Sequence, residues 1–348
     1  MQDVEKVRAA FVAPKEFWSS PLYRHLSSVV AGDPFLVDVA ASARSGQHPT
    51  FAFFGAIHAL LLSGVEHELA DYYPSVRGAA ALSPESAGAA LRAFVDTYQE
   101  PIRHTLQTRL VQTNHVQRAL GLRLSLAAIR SRVGSAPVHV LEVGCSAGLL
   151  LRQAAYGYTL GGRQFGQRDS RVQLAAEWFS ETAVPDLDAL PAVASVTGID
   201  LNPLDPTSDG DRLWLQALVW PEDTRKAELL RAALGIAVRN PAIVLAGDAI
   251  DLCPKWAEEI PSGAVRVVFH CATRMHVPTE RRARFDAAIE GVGHAGPLYR
   301  VAIEVDGPMR TDPHGTPMYG LQVTDPIGTT TVPYYVEGHL GSVLPTLD

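Results

Sequence analysis

The chain has 348 residues, 47% of them apolar and 19% charged, which suits a globular protein with a sizeable core and excludes a disordered one. At roughly 150 residues per domain, the length predicts two lobes, or one large domain with an elaboration. Lys plus Arg number 30 against 37 Asp plus Glu, a formal charge of −7 that gives no footprint for a phosphate backbone, so nucleic acid is not expected as a partner.

The first 134 residues read as helix. The start, Met1-Gln2-Asp3-Val4-Glu5, has no basic segment ahead of an apolar stretch, so no signal peptide is expected. Phe51, Phe54, His58, Leu61 and Leu62 form a helical stripe, and the apolar run around them, residues 51–65, is too short to cross a bilayer. Ser83-Pro84-Glu85-Ser86 reads as an N-cap with proline at the first helical position, followed by a face of Leu91, Phe94, Val95 and Tyr98. The polar run Gln112-Thr113-Asn114 is either a helix cap or a lid segment whose amides meet a ligand, with Arg109 and Arg118 placed to neutralise a carboxylate.

The pattern changes after Gly134-Ser135-Ala136-Pro137. Brief apolar segments at 138–143, 196–201, 242–246, 265–270 and 298–305 lack a polar face, as strands buried on both sides do. Helical stretches such as 225–234 and 279–289 fall between them, which predicts a doubly wound, mostly parallel α/β sheet. Weak strands at 319–323 and 333–336 suggest a terminal antiparallel hairpin. The expected domains are a helical lobe over 1–134 and a sheet domain over 135–348. A hairpin insertion near 156–180 carries Tyr156, Tyr158, Gly161-Gly162 and the period-two residues Val172, Leu174, Ala176 and Trp178. Cys145, Cys253 and Cys271 form no CxxC pair, so neither a disulfide framework nor a metal site is expected, and a reducing cytoplasm is the expected compartment.

The first strand ends in Glu142-Val143-Gly144-Cys145-Ser146-Ala147-Gly148. Small residues at a strand-to-helix turn let a ligand approach the backbone, and the helix N-terminus offers free N–H groups. Glu142 at the end of a buried strand is costly unless it has a binding role. Gly144-x-Ser146-x-Gly148 also fits a hydrolase nucleophile elbow, although the helical chain ahead of it supplies no earlier strand for an oxyanion loop. The second strand closes on Gly198-Ile199-Asp200-Leu201-Asn202, where an acid can accept from ribose hydroxyls. The third closes on Gly247-Asp248-Ala249, where the carboxylate and the following N–H can meet an adenine edge.

These three strand ends resemble the successive motifs of class I S-adenosylmethionine (SAM) dependent methyltransferases. The resemblance runs from about residue 138 to the C-terminus and implies a seven-stranded Rossmann-like sheet. It implies that Glu142, Gly144, Ser146 and Gly148 contact the methionine part of SAM, Asp200 and Asn202 the ribose side, and Asp248 and Ala249 the adenine, with Gln112 added from the polar run. Two departures stand out: Ser146 replaces the usual central glycine, and Asp200 lies much further from Gly148 than the roughly 20 residues of a plain βαβ unit. A longer stretch, with Arg109 to Arg118, Leu141 to Leu150, Gly198-Ile199-Asp200 and Trp214-Leu215-x-Ala217-x-Val219-Trp220-Pro221, resembles a bacterial family catalogued as domain of unknown function 2332.

The sequence therefore predicts a SAM-dependent methyltransferase-like enzyme acting on a small molecule, under a helical lid. His270, at the end of the fourth strand, is the candidate base, with Asn114 and Tyr158 as further catalytic residues, Cys271 as a packing residue, and His276 as a weaker candidate. Trp214, Trp220 and Pro221 are expected to pack between the lobes. One alternative is a SAM cyclase or lyase that releases methylthioadenosine, for example by closing azetidine-2-carboxylate. Others are a non-enzymatic sensor of SAM or S-adenosylhomocysteine, and a hydrolase with Ser146 as nucleophile.

Overall fold

The computed structural model describes residues 2–12 and 14–346. The chain divides into two compact units, one of residues 1–113 with 207–231 and the other of residues 114–206 with 232–348. The division differs from a single boundary near 135 in two ways. The helix expected at the end of the first lobe belongs to the sheet unit, and a later segment returns to the helical unit.

The helical unit contains α1 (Val4–Val12), α2 (Pro21–Gly32), α3 (Pro34–Ala40), α4 (Pro49–Leu62), α5 (Pro74–Arg77), α6 (Ala87–Thr97) and α7 (Gln99–Thr108). Its core is one aromatic cluster in which Tyr23 stacks on Phe54 at 4.5 Å and Phe11 meets Phe53 and Phe54 edge-on. α4 is buried almost all round, including Ala52, Phe53, Ile57 and His58, so it is the unit's central helix and not a one-sided stripe. The returning segment, residues 207–231, packs into this cluster. Trp220 lies 5.0 Å from Phe51 and 5.2 Å from Phe17, Trp214 donates from Nε1 to the Leu110 carbonyl at 2.8 Å, and Glu222 accepts from Ser20 Oγ and Leu22 N. Trp214 and Trp220 are thus internal to this unit.

In the sheet unit, α8 (Ala119–Val133) precedes β1 (Val138–Val143), then β2 (Gly157–Leu160), β3 (Arg163–Gly166), β4 (Gln173–Trp178) and β5 (Val193–Asp200). After α9 (Asp209–Ala217) of the returning segment, the chain re-enters this unit within α10 (Thr224–Arg239). It continues through β6 (Ile243–Ala246), α11 (Ala249–Glu259), β7 (Val265–Cys271), α12 (Thr279–Gly291), β8 (Leu298–Ile303), β9 (Met309–Thr311), β10 (Pro317–Thr324), β11 (Thr330–Glu337) and β12 (Ser342–Pro345).

These strands form one twelve-stranded sheet, not seven, in the order β3-β2-β4-β12-β11-β10-β8-β7-β1-β5-β6, with β9 on β10. The five strands β6-β5-β1-β7-β8 are parallel, and β10 and β11 add antiparallel partners. The predicted hairpin forms as β2–β3 across Gly161-Gly162, both left-handed, as a tight two-residue turn requires. β4 pairs with β2 in parallel and joins β12, which extends the sheet. On one face, α11 and α12 cover Leu141, Val143, Ile199 and Val268. On the other, α8 approaches so closely that a Cβ on Gly121 would lie 2.7 Å from Ile303 Cδ1. Wrapping from β1 runs outward through β5 and β6 in one direction and through β7 and β8 in the other, which puts a topological switch point between β1 and β7. No described helix is long and apolar enough to cross a membrane.

His58 sits inside the aromatic cluster, its Nδ1 2.9 Å from the Ala217 carbonyl and its Nε2 2.7 Å from Ser75 Oγ. This pattern fixes the neutral ring, and burial lowers its pKa to about 4. The unfolded ring takes a proton below its ordinary 6.5 while the folded one does not, so stability falls as pH drops from 6.5 towards 4. The loss from this group approaches about 3 kcal/mol. Urea unfolding across that interval should show the fall in the wild type and a shallower one in His58→Gln; equal slopes would contradict it.

Candidate functional site at the strand tips

β1 is buried on both faces and must turn at once between packed neighbours, so its exit is built from left-handed backbone. Gly144, Ser146 and Gly148 have φ of 78°, 51° and 64°. A side chain on Gly144 would also place its Cβ 2.4 Å from Thr273 Oγ1, so only glycine fits there. Serine is strained in this conformation, and the strain is held by a clamp: Ser146 N donates to Asp200 Oδ2 at 2.8 Å, and Asn202 N donates to Asp200 Oδ1 at 2.9 Å. The Asp200 carbonyl accepts from Gly247 N at 2.9 Å, and the Ile199 carbonyl from Gly144 N at 2.8 Å. The tips of β1, β5 and β6 are thereby laced together.

The tip of β7 completes the arrangement. Ala272, the residue after β7, has φ 51° and is a second strained non-glycine residue. Thr273 Oγ1 donates to the Val143 carbonyl at 3.0 Å. Glu304, just past β8, accepts at one oxygen from His270 Nδ1 (2.7 Å), Thr273 N (3.0 Å) and Arg274 N (3.0 Å). Thr273 thus touches both the turn and Glu304, which lines a cavity of about 1020 Å³ running along β8.

Two buried polar atoms at the turn have no hydrogen-bond partner: Glu142 Oε2 and Ser146 Oγ. Burial pushes the Glu142 carboxyl well above its usual range, the Asp200 charge adds to this, and Arg152 opposes it. Burial likewise raises the Cys145 thiol, and it pushes the Cys271 thiol up to about 11, so neither is a ready nucleophile.

Of the expected site residues, Glu142, Gly144, Ser146, Asp200 and Asn202 come together in this cluster. Gly148 closes the turn through its N–H to the Cys145 carbonyl and lies against Val244 of β6. Asp248 is at the neighbouring tip but is engaged: it caps α11 through Ile250 N at 2.9 Å and pairs with Arg281 at 2.7 Å, with Ala249 as the first residue of that helix. His270 is fully buried and saturated, Nδ1 bonding to Glu304 and Nε2 accepting from Arg300 Nε at 3.2 Å. With both nitrogens engaged, it is not a free base. Tyr158 is buried in β2 with its hydroxyl donating to the Gln153 carbonyl at 2.6 Å and Arg123 over its ring, which is a packing role. Asn114 belongs to the sheet unit, with Oδ1 buried and unpartnered. Gln112 belongs to the helical unit, as does Arg109, which pairs with Asp211. Arg118 donates to the Gly338 carbonyl, and His276 is an exposed residue of the turn after β7.

The expected helix after the turn is absent. A six-residue 3-10 segment, Leu150–Ala155, follows instead, because Tyr156 and Tyr158 hydroxyls bond the Leu149 and Gln153 carbonyls and draw the chain towards β2. The anion-binding contribution of a helix N-terminus is therefore lost. The hydrolase alternative lacks its base, since Ser146 Oγ bonds to nothing and both His270 nitrogens are occupied. Sequence reading missed Ala272, Thr273 and Glu304. Only Glu304 left a signal, as the one acid in the strand segment 298–305.

A family model described as "Uncharacterized protein conserved in bacteria" (DUF2332) matches residues 9–330. Comparison with curated proteins gives no match.

Glu142 makes a sharp prediction. The folded chain keeps a proton that the unfolded chain releases in the ordinary carboxyl range, so this group costs stability as pH rises above that range. Glu142→Gln should be more stable than wild type at pH 8 and equal to it near pH 4, read by denaturant unfolding. A variant less stable at pH 8 would contradict the assignment.

Proposed function

The chain belongs to that bacterial family, and on that premise we propose that its sheet unit binds SAM across the tips of β1, β5 and β6 and serves as a methyltransferase-like enzyme for a small molecule. The observation that carries the reading is the strained turn at a topological switch point, clamped by Asp200 and presenting two buried polar atoms without partners.

The residues present fit the group. Glu142 Oε2 lacks a partner, which the ammonium of an amino-acid tail supplies as the carboxyl gives its proton up to solvent. Ser146 Oγ lacks an acceptor, which the tail's carboxylate supplies. Asp200 takes one backbone N–H on each oxygen and stands at the strand tip where an acid meets a ribose hydroxyl. Asp248 is already shared with Arg281, so the adenine edge rests more on backbone at Ala249 than on a free carboxylate. When bound, SAM supplies a methyl group activated by its sulfonium. The protein's part is to hold and orient it: the left-handed turn fixes the tail, and the Thr273 bridge fixes the turn against β7. His270 supports this frame by holding Glu304, and no proton transfer is assigned to it.

Calorimetric titration of the intact protein with SAM and with S-adenosylhomocysteine tests the reading. Saturable heat is expected with both, together with a loss of about fivefold to tenfold in affinity in Ser146→Ala, whose left-handed backbone alanine tolerates no worse than serine does. Absence of heat with either compound on folded protein would overturn it. Incubation with SAM alone then separates two outcomes, since methylthioadenosine release would favour ring closure or lysis over transfer.

A further inference from the structure

The cavity along β8 is a different feature from the turn. Its floor is the sheet face formed by Arg300 and Ala302 of β8 with Gln322 and Thr324 of β10, paired in register. Its walls come from α12 and from the loop between β10 and β11. Three observations bear on what it holds. First, the lining carries five carboxylates, Asp286, Glu290, Glu304, Asp306 and Asp325, against the two guanidinium groups of Arg274 and Arg300. Second, those guanidinium groups are spent. Arg300 donates to His270 Nε2 and to Asp286 at 2.6 Å, and Arg274 pairs with Asp286 and Asp306, so no cation is left for an anionic ligand. Third, Glu304 is 3% exposed, and while one oxygen takes three donors, Oε2 is buried and takes none.

An ionised carboxylate oxygen without a donor is costly in a buried setting. Burial pushes the Glu304 carboxyl up, yet the bonds from His270, Arg274 N and Thr273 N outweigh it and hold the pKa below its usual range, so the charge persists at neutral pH. We propose that the cavity binds a small organic cation, a primary amine, whose ammonium donates to Glu304 Oε2. Among the described residues no three His, Cys, Asp or Glu side chains are grouped so as to hold a metal ion. The volume, about 1020 Å³, is ample for such a ligand. The inference does not rest on SAM binding at the turn.

The experiment uses three four-carbon probes on the full chain: 1,4-diaminobutane, 1,4-butanediol and succinate. Thermal shift and calorimetry should show saturable binding of the diamine, and neither signal for the diol or the dicarboxylate. Glu304→Gln should lose the diamine. Because Glu304 also ties three donors in place, Gln322→Lys is the second variant: it sets an ammonium on the cavity floor, leaves the Glu304 bonds intact, and should lower diamine affinity by about tenfold or more. Failure of the diamine to bind wild type, tighter binding of succinate, or wild-type diamine affinity in folded Gln322→Lys would overturn the proposal.

Discussion

One carboxylate holds the strand tips in their working shape. Asp200 receives the Ser146 and Asn202 amides, one on each oxygen, and its carbonyl receives Gly247 N. Without it, a left-handed serine between two left-handed glycines would relax, and the exit from β1 would have no fixed course. Asp200 also joins the tips of β5 and β6 to the turn, alongside the Gly144 N–H bond to the Ile199 carbonyl. The cost of strain at Ser146 and Ala272 is met by bonds from neighbouring strands rather than by the turn itself.

The clamp also explains why polar atoms are left over. A turn fixed by backbone donors leaves the Ser146 hydroxyl out of the network, and Glu142, on the strand leading into it, keeps one oxygen without a donor. Glu142 is consequently a proton holder, while Glu304, two strands away, is a charged acceptor satisfied on one side only. Two buried acids at one edge of a sheet thus have opposite ionisation, set by their donors.

Much of this was readable in the chain. All five parallel strands appear where short runs free of a polar face lie; burial on both sides demands that composition in β1 and β7, while β6 at the end of the sheet is apolar though partly exposed. The meeting of Ser146 with Asp200 also follows from placing successive strand ends side by side. The rest depends on partners distant in sequence. Nothing near Ala272 marks a left-handed residue. His270 reads as a base until Glu304 and Arg300 are seen on its two nitrogens. Tyr158 reads as a cofactor cover until its hydroxyl is found on a backbone carbonyl. The return of residues 207–231 to the helical unit rests on Trp214 and Trp220 filling an aromatic core assembled from α2, α4 and the chain before α2. The period-two run at 172–178 marks β4 but not its parallel pairing with β2 and β12, and β2, β3, β4, β9 and β12 together turn an expected seven-stranded sheet into one of twelve.

The account centres on the laced tips as a receptor for a nucleoside with an amino-acid tail. Hydrogen–deuterium exchange on the intact protein, with and without S-adenosylhomocysteine, examines that surface residue by residue. The account predicts slower exchange concentrated in residues 142–148, 200–202 and 247–250; unchanged exchange there under saturating ligand, or protection confined to other segments, would contradict it.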